Sequence, residues 1–258
     1  MFPHYPKTYH LADSRLPPGN ENQVGLWEVP FERVLGHHLV IEEKVDGSQA
    51  GILFDGNGDL VVFSRGSLCP RNQNFGPLWL WVEQRQDNLF DVLGDRYILY
   101  AEWAALCHTI YYDALPAFFL EDDVYDSWEE EWLSTAARRT LLKPLRASCG
   151  LVSVPVLHEG QIDSLEALKS FVGPSAFKSK EWVHAMVNKV RQRKIPVEET
   201  LEWLDPSTLM EGLYIKVEKE GRVTGRLKWV RYDFLQTILN SSGHWNKRPP
   251  LPNQLKKS

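Results

Sequence analysis

The chain has 258 residues, 43% of them hydrophobic and 24% charged, with a net charge of −5 and three cysteines. That length and balance describe a soluble globular protein with one large domain or two small ones. They exclude a polycation that coats nucleic acid non-specifically. They also exclude a disulfide framework and a structural zinc site, because Cys69, Cys107 and Cys149 are far apart with no Cys-x-x-Cys spacing.

Residues 1–25 are rich in Pro, Gly and Asn and read as an irregular arm, with no apolar core of a signal peptide at Met1–Lys7. No later run approaches the roughly 20 apolar residues of a membrane helix. The expected setting is therefore reducing and cytoplasmic, with no membrane partner. From Leu39 to Phe63 the pattern is strand, turn, strand, with Asp55–Asp59 as a tight turn and Leu60–Phe63 running into Ser64-Arg65-Gly66. Residues 77–94 have amphipathic helical spacing. Tyr97–Ala101 and Ala117–Leu120 read as buried strands. Ser127 reads as the N-cap of a helix with Glu129, Glu130 and Glu131 in its first turn and Arg138, Arg139 and Lys143 near its end. Further helices are expected near 163–171 and 174–194, before Pro196. Leu213–Val217 and Thr224–Val230 then form a hairpin around Glu218–Gly221, and residues 246–258 form a flexible basic tail. The sum is an α+β chain dominated by antiparallel hairpins, with helices clustered in the middle.

Four stations in this order carry chemistry. The first is Lys44-Val45-Asp46-Gly47. A lysine tuned by burial and charge can attack a phosphate, Asp46 can bind a metal or orient the amine, and Gly47 leaves room for a nucleotide. Asp-Gly is also a common hairpin turn, so this stretch alone leaves both options open. The second station is Arg65, whose planar fork suits ribose or phosphate oxygens. The third is Glu102 at the end of a strand, able to accept from a ribose hydroxyl. The last is Glu211-Gly212, a strand start whose hairpin partner carries Arg226 and Lys228. Asp46 and Glu211 are the natural metal ligands, and Arg226 with Lys228 the cations for an α-phosphate.

This series resembles the covalent nucleotidyltransferase superfamily of ATP-dependent DNA ligases, RNA ligases and mRNA capping enzymes. It is most similar to RNA ligases of the phage nick-sealing type, over roughly residues 5–232. The resemblance implies an ATP-grasp-like nucleotidyltransferase (adenylation) domain of antiparallel sheets flanked by helices, spanning residues 1–245. DNA ligases and capping enzymes continue into an oligonucleotide-binding (OB) barrel, for which residues 232–258 are too few. The resemblance implies that Lys44 takes AMP from ATP with Mg²⁺ or Mn²⁺. AMP then passes to an RNA 5′-phosphate, and a 3′-hydroxyl displaces it. An end-healing kinase or phosphatase is an implied partner. By the same resemblance Glu43 touches adenine, Arg65 and Glu102 hold ribose, Glu211 has a metal-linked role, and Arg226 and Lys228 meet the α-phosphate. The family's base-stacking aromatic is replaced here by Asp122, which leaves Phe119 or Phe118 to stack. The alternatives are another superfamily member, transfer to a protein or small molecule, and a degenerate nucleotide- or RNA-binding module. RNA contacts are open to Lys7, His10 and Arg15 and to the basic run Lys189–Lys194.

Overall fold

The computed structural model describes residues 5–14, 28–240 and 247–256. In chain order it has β1 (Tyr9–Leu11), β2 (Glu28–Val29), β3 (His38–Lys44), β4 (Ser48–Phe54), β5 (Leu60–Ser64) and β6 (Ser67–Leu68). Helices α1 (Gly76–Glu83) and α2 (Gln86–Leu93) lead into β7 (Tyr97–Trp103), β8 (Phe119–Asp126) and β9 (Glu131–Trp132). Then come α3 (Thr135–Leu141), α4 (Lys143–Cys149), β10 (Val152–Ser153), β11 (Val156–Gly160), α5 (Leu165–Lys169), α6 (Trp182–Gln192) and α7 (Val197–Trp203). The hairpin β12 (Gly212–Lys219) and β13 (Arg222–Val230) precedes α8 (Tyr232–Asn240).

Two sheets result. The first runs β11-β3-β12-β13-β1-β2 and the second β10-β8-β7-β4-β5-β6, with β9 beside β8. Most neighbours are antiparallel, as the α+β expectation requires. Alternation gives each sheet one apolar face. On the second, Ile52, Val62, Leu99 and Val124 pack under Leu78, Leu89 and Leu145 of α1, α2 and α4. On the first, Ile41, Leu213, Ile215 and Leu227 pack against Phe31, Ile162 and Leu168. The remaining faces turn toward each other and carry the polar residues described below. Among the described residues, α8 and a packed segment follow β13, not a barrel.

Several elements differ from the expectation, each for a local reason. β3 and β4 lie in different sheets, so Asp46-Gly47 is a crossing between layers and not a hairpin turn. The 77–94 helix breaks at Gln84-Arg85, where the Arg85 guanidinium donates to the carbonyls of Trp81 and Cys149. No helix starts at Ser127. Asp126 instead accepts from Arg96 and from the backbone amides of Trp128 and Glu129, shaping a turn that leads into β9. The helix starts at Ser134, whose hydroxyl accepts from the Ala137 amide at 3.3 Å. Ser134→Ala should therefore cost about 1 kcal/mol of unfolding free energy in a urea melt; an unchanged midpoint would show that the cap is idle. The 174–194 helix is confined to α6, and α7 and α8 were not anticipated.

The C-terminal segment is not a loose tail. Leu251 and Asn253 are buried, and Pro252 and Leu255 form bridges to Leu106 and Leu115. Asn253 accepts from the Tyr112 amide and donates to the Ala104 carbonyl, while its own amide donates to Ala105. Within the N-terminal arm, β1 pairs in parallel with β13. Arg15 and the rest of the arm to residue 25 lie outside the described residues, as do 257–258. No helix among the described residues is long and apolar enough to cross a membrane.

Candidate active site

The crossing from β3 to β4 positions Lys44. Val45, Asp46 and Gly47 carry the chain from the first sheet to the second. A Cβ on Gly47 would lie 2.7 Å from the Trp103 carbonyl oxygen and 3.1 Å from the Glu102 side chain. The glycine therefore makes room for β7, and it also lines the cleft. Lys44 faces a cleft of about 290 Å³ between the sheets.

The first sheet supplies one wall. Its register sets Lys44 beside Gly212, and Tyr214 between Glu42 and Lys228. Glu42, Lys44, Tyr214 and Lys228 thus share the face turned toward the second sheet. The second sheet answers with Glu102 from β7 and Asp122 from β8. Arg65 enters from the two-residue β5–β6 turn, where Arg65 and Gly66 have φ of 47° and 80°. That pattern of signs suits the right-handed twist of a tight hairpin.

Glu211 precedes β12, and its two carboxylate oxygens lie 2.7 and 2.8 Å from Lys44 Nζ. Gly212 lets the backbone of β13 pass close by, because a Cβ there would sit 2.0 Å from the Trp229 carbonyl oxygen. Burial alone would lower the Lys44 pKa, but Glu211, Glu102 and Asp46 outweigh it and hold the amine above its ordinary value. The neighbouring carboxylates therefore favour the charged form of this lysine. Burial raises Glu211 against the pull of Lys44. Burial also pushes Glu102 up to about 8, partly offset by Lys44. Lys228 moves the other way, down to about 8, through burial and then repulsion from Lys44.

Beneath the cleft lies a buried charge network. Lys216 pairs with Glu42 at 2.9 Å and Asp123 at 3.4 Å. Arg138, 1% exposed, pairs with Glu42 at 2.9 Å and Glu121 at 3.3 Å. Asp123 also accepts from Tyr5 and from Arg226. Burial opposes its charge, yet Arg226 and Lys216 hold the Asp123 carboxyl well below its ordinary value. A β-bulge in β8 brings this about. Asp123 pairs with Tyr100 and Glu121 with Ala101, leaving Asp122 as the extra residue. Two consecutive aspartates can then face the first sheet.

Of the predicted residues, the cleft brings together Lys44, Arg65, Glu102, Lys228 and, through its bond to Lys44, Glu211. Glu43 also lines the cleft, and three others are placed differently. One Asp46 oxygen accepts the backbone amides of Thr109 and Ile110 at 2.7 and 2.8 Å, so this carboxylate anchors a loop and is not a free metal ligand. Arg226 is buried, bonded to Asp123 and set over the Trp132 ring at 4.1 Å. It belongs to the network, not to a phosphate site. The Glu43 carboxylate, at the cleft wall, accepts from the Ser175 hydroxyl and the Ala176 amide. Phe119 is 1% exposed and stacks on Trp81 in the core at 5.0 Å, with Phe118 partly buried beside that core, so Phe119 is not available to a base. His10 is buried and hydrogen-bonded to Ser14.

Tyr5, Thr8, Gln49, Val154 and Tyr214 line the cleft and were missed. Tyr214 was discoverable, since it stands two residues after Gly212 on a strand that pairs with Lys228. Tyr5 carries no local signal. It arrives from the far N-terminus and bonds Tyr214 at 2.7 Å. Among the described residues, no group of three His, Cys, Asp or Glu side chains could hold a metal ion unaided.

Comparison with curated proteins gives no match. Among solved structures, a Naegleria gruberi RNA ligase mutant in its apo form superposes with a TM-score of 0.54 at 16% identity, covering 90% of this chain and 58% of that one. Two further mutants of the same enzyme with ATP and Mn give TM-scores of 0.53 and 0.55 at 16% and 14% identity. They cover 90% and 92% of this chain and 59% and 63% of theirs. This chain thus spans about three-fifths of the length of those relatives, and at such identity the likeness is one of fold. The RNA ligase family model matches residues 37–230, from the start of β3 to the end of β13 and across every wall of the cleft except Tyr5 and Thr8, and on that match the chain belongs to the RNA ligase family.

Proposed function

We propose that this protein is an ATP-dependent RNA ligase that works through lysyl-AMP on Lys44. The observation that carries the proposal is the Lys44–Glu211 pair at the sheet crossing, in a cleft whose second lysine is Lys228. Lys44 Nζ attacks the α-phosphate of ATP, forming a P–N bond as the P–O bond to pyrophosphate breaks. The amine must first give up a proton, and Glu211, raised by its burial, is the carboxylate in hydrogen-bond contact. An RNA 5′-phosphate oxygen then attacks the lysine-bound phosphorus, and the P–N bond breaks. Finally a 3′-hydroxyl attacks the RNA phosphate and AMP departs. Lys228 is the cation for charge building on the α-phosphate, and Arg65 and Glu102 are placed for ribose.

A magnesium or manganese ion supplies charge neutralisation to the phosphates. Glu211 would hold it, since one carboxylate plus substrate phosphates and water is a sufficient set for such an ion. Complexes of the Naegleria gruberi enzyme with ATP and Mn support this choice of substrate and metal. The RNA ends imply a healing kinase or phosphatase upstream. Three buried free thiols fit a reducing, cytoplasmic setting.

The test is incubation with Mg²⁺ and α-labelled ATP, followed by denaturation and peptide mapping. Label on the peptide containing Lys44 is expected. Intact mass identifies protein already adenylated at purification; with neither label nor adduct, the chain is a binding module. Joining of nicked RNA then distinguishes ligation from transfer to protein or small molecules.

ATP affinity should also depend on pH. Lys228, lowered to about 8, loses its charge as pH rises through that value, and Glu102 gains a negative charge over the same range. Both changes oppose phosphate binding, so the calorimetric Kd should rise severalfold between pH 7 and 9. Lys228→Arg should flatten much of that rise, since arginine keeps its charge. A flat wild-type profile would contradict the assignment of Lys228.

A further inference from the structure

Asp122 is the cleft residue for which the chemistry above has no use. It is the extra residue of the β8 bulge, so its side chain enters the cleft while Asp123 still reaches the buried network. Its Oδ1 is buried with no hydrogen-bond partner among the described residues. Lys216, the nearest cation in the network, bonds the Asp122 backbone carbonyl, Glu42 and Asp123 instead. A buried acceptor left unmatched is costly, and a ligand that donates to it recovers that cost. Among the other polar lining residues, the Glu43 carboxylate is engaged by Ser175 and Ala176. Val154 is apolar, and the Tyr214 hydroxyl is already bonded to Tyr5.

We propose that Asp122 determines nucleotide specificity by accepting a hydrogen bond from the exocyclic amine of the base, in place of stacking on its face. The inference rests on the reading of the cleft as an ATP site. Adenine presents that amine beside an unprotonated ring nitrogen. Burial and the charge on Asp123 push the Asp122 carboxyl up to about 8. Near neutral pH it is therefore mostly a carboxylic acid, which can accept from the amine and donate to the ring nitrogen together. Purine without substituents offers no donor there.

The experiment compares covalent labelling of the wild-type protein by ATP and by purine riboside triphosphate, which lacks the amine. ATP should be preferred over purine riboside triphosphate by about tenfold or more in kcat/KM, the scale for a lost hydrogen bond to a buried polar group. Asp122→Phe, which restores the family's aromatic, should still label from ATP but bring the two nucleotides within about twofold. Asp122→Asn, nearly isosteric and keeping an acceptor oxygen, should retain a clear preference for ATP. Equal labelling of the wild type by both nucleotides would overturn the proposal with no variant needed, as would an Asp122→Phe protein that still discriminates tenfold. Absence of label from every nucleotide, with unmodified intact mass, would instead refute the ATP-site reading. The ratio of nucleotides is the deciding readout, because a merely structural role would lower both rates together.

Discussion

A Lys44→Arg chain should fold normally and form no covalent nucleotide adduct, with labelling down on the order of 10⁴-fold or more. Arginine preserves the positive charge beside Glu211, whose oxygens lie 2.7 and 2.8 Å from the present amine. The ion pair and the carboxylates gathered round it therefore keep their counter-charge. What arginine cannot do is lose a proton and become a nucleophile. Lys44→Ala is the poorer test, since it also leaves Glu211 unpaired and confuses lost chemistry with lost structure. The measurement is gel or mass detection of AMP on denatured protein, with a thermal melt to verify folding. Persistent labelling of Lys44→Arg would move the nucleophile elsewhere, with Lys228 the next to examine.

The second large effect concerns stability. Arg138→Met should lower the unfolding free energy by about 3–5 kcal/mol, because Glu42 and Glu121 would lose their shared partner deep between the sheets. In a chain of this size that corresponds to a fall in Tm of roughly 6–20 °C. Arg146 still bonds Glu121 at 2.9 Å and Lys216 still pairs with Glu42, so the loss should fall toward the lower end. Adding Glu121→Gln to Arg138→Met should recover part of it, by removing the charge that Arg138 had balanced. A change under about 1 kcal/mol would show that the two remaining cations suffice.

The parts of this site legible in the sequence are those set by chain order and strand ends. Lys44, Glu102, Glu211 and Lys228 each stand at or near a strand terminus, and all reach one cleft. The errors arose where side-chain direction depends on a second sheet. Arg226 and Lys228 alternate correctly on one face, but two residues along β13 is far enough to move Arg226 into the buried network. The β8 bulge breaks strict alternation, which no composition reveals, and lets Asp123 face the first sheet beside Asp122, while Phe119 lies on the opposite face against Trp81. Asp46 was read for its charge, yet the loop at 109–110 consumes an oxygen through contacts more than 60 residues away. Helix boundaries failed for a plainer reason. Asp126 and Ser134 compete with Ser127 as turn formers, and only packing decides among them.

The C-terminal segment has a consequence for the order in which this molecule assembles. The Asp46 amide donates to the Tyr112 hydroxyl at 2.8 Å, and the Tyr112 amide is held by Asn253 at 2.9 Å. Lys44 meets Glu211 across 167 residues of chain, and Tyr5 meets Tyr214 across 209. Loops of that span close late, because their entropy must be lost before any contact rewards it. During synthesis the nucleophile's loop cannot acquire its final support until Asn253 has left the ribosome. The reactive centre therefore forms with the first sheet, whose β3–β12 pairing sets Gly212 beside Lys44, and not before it.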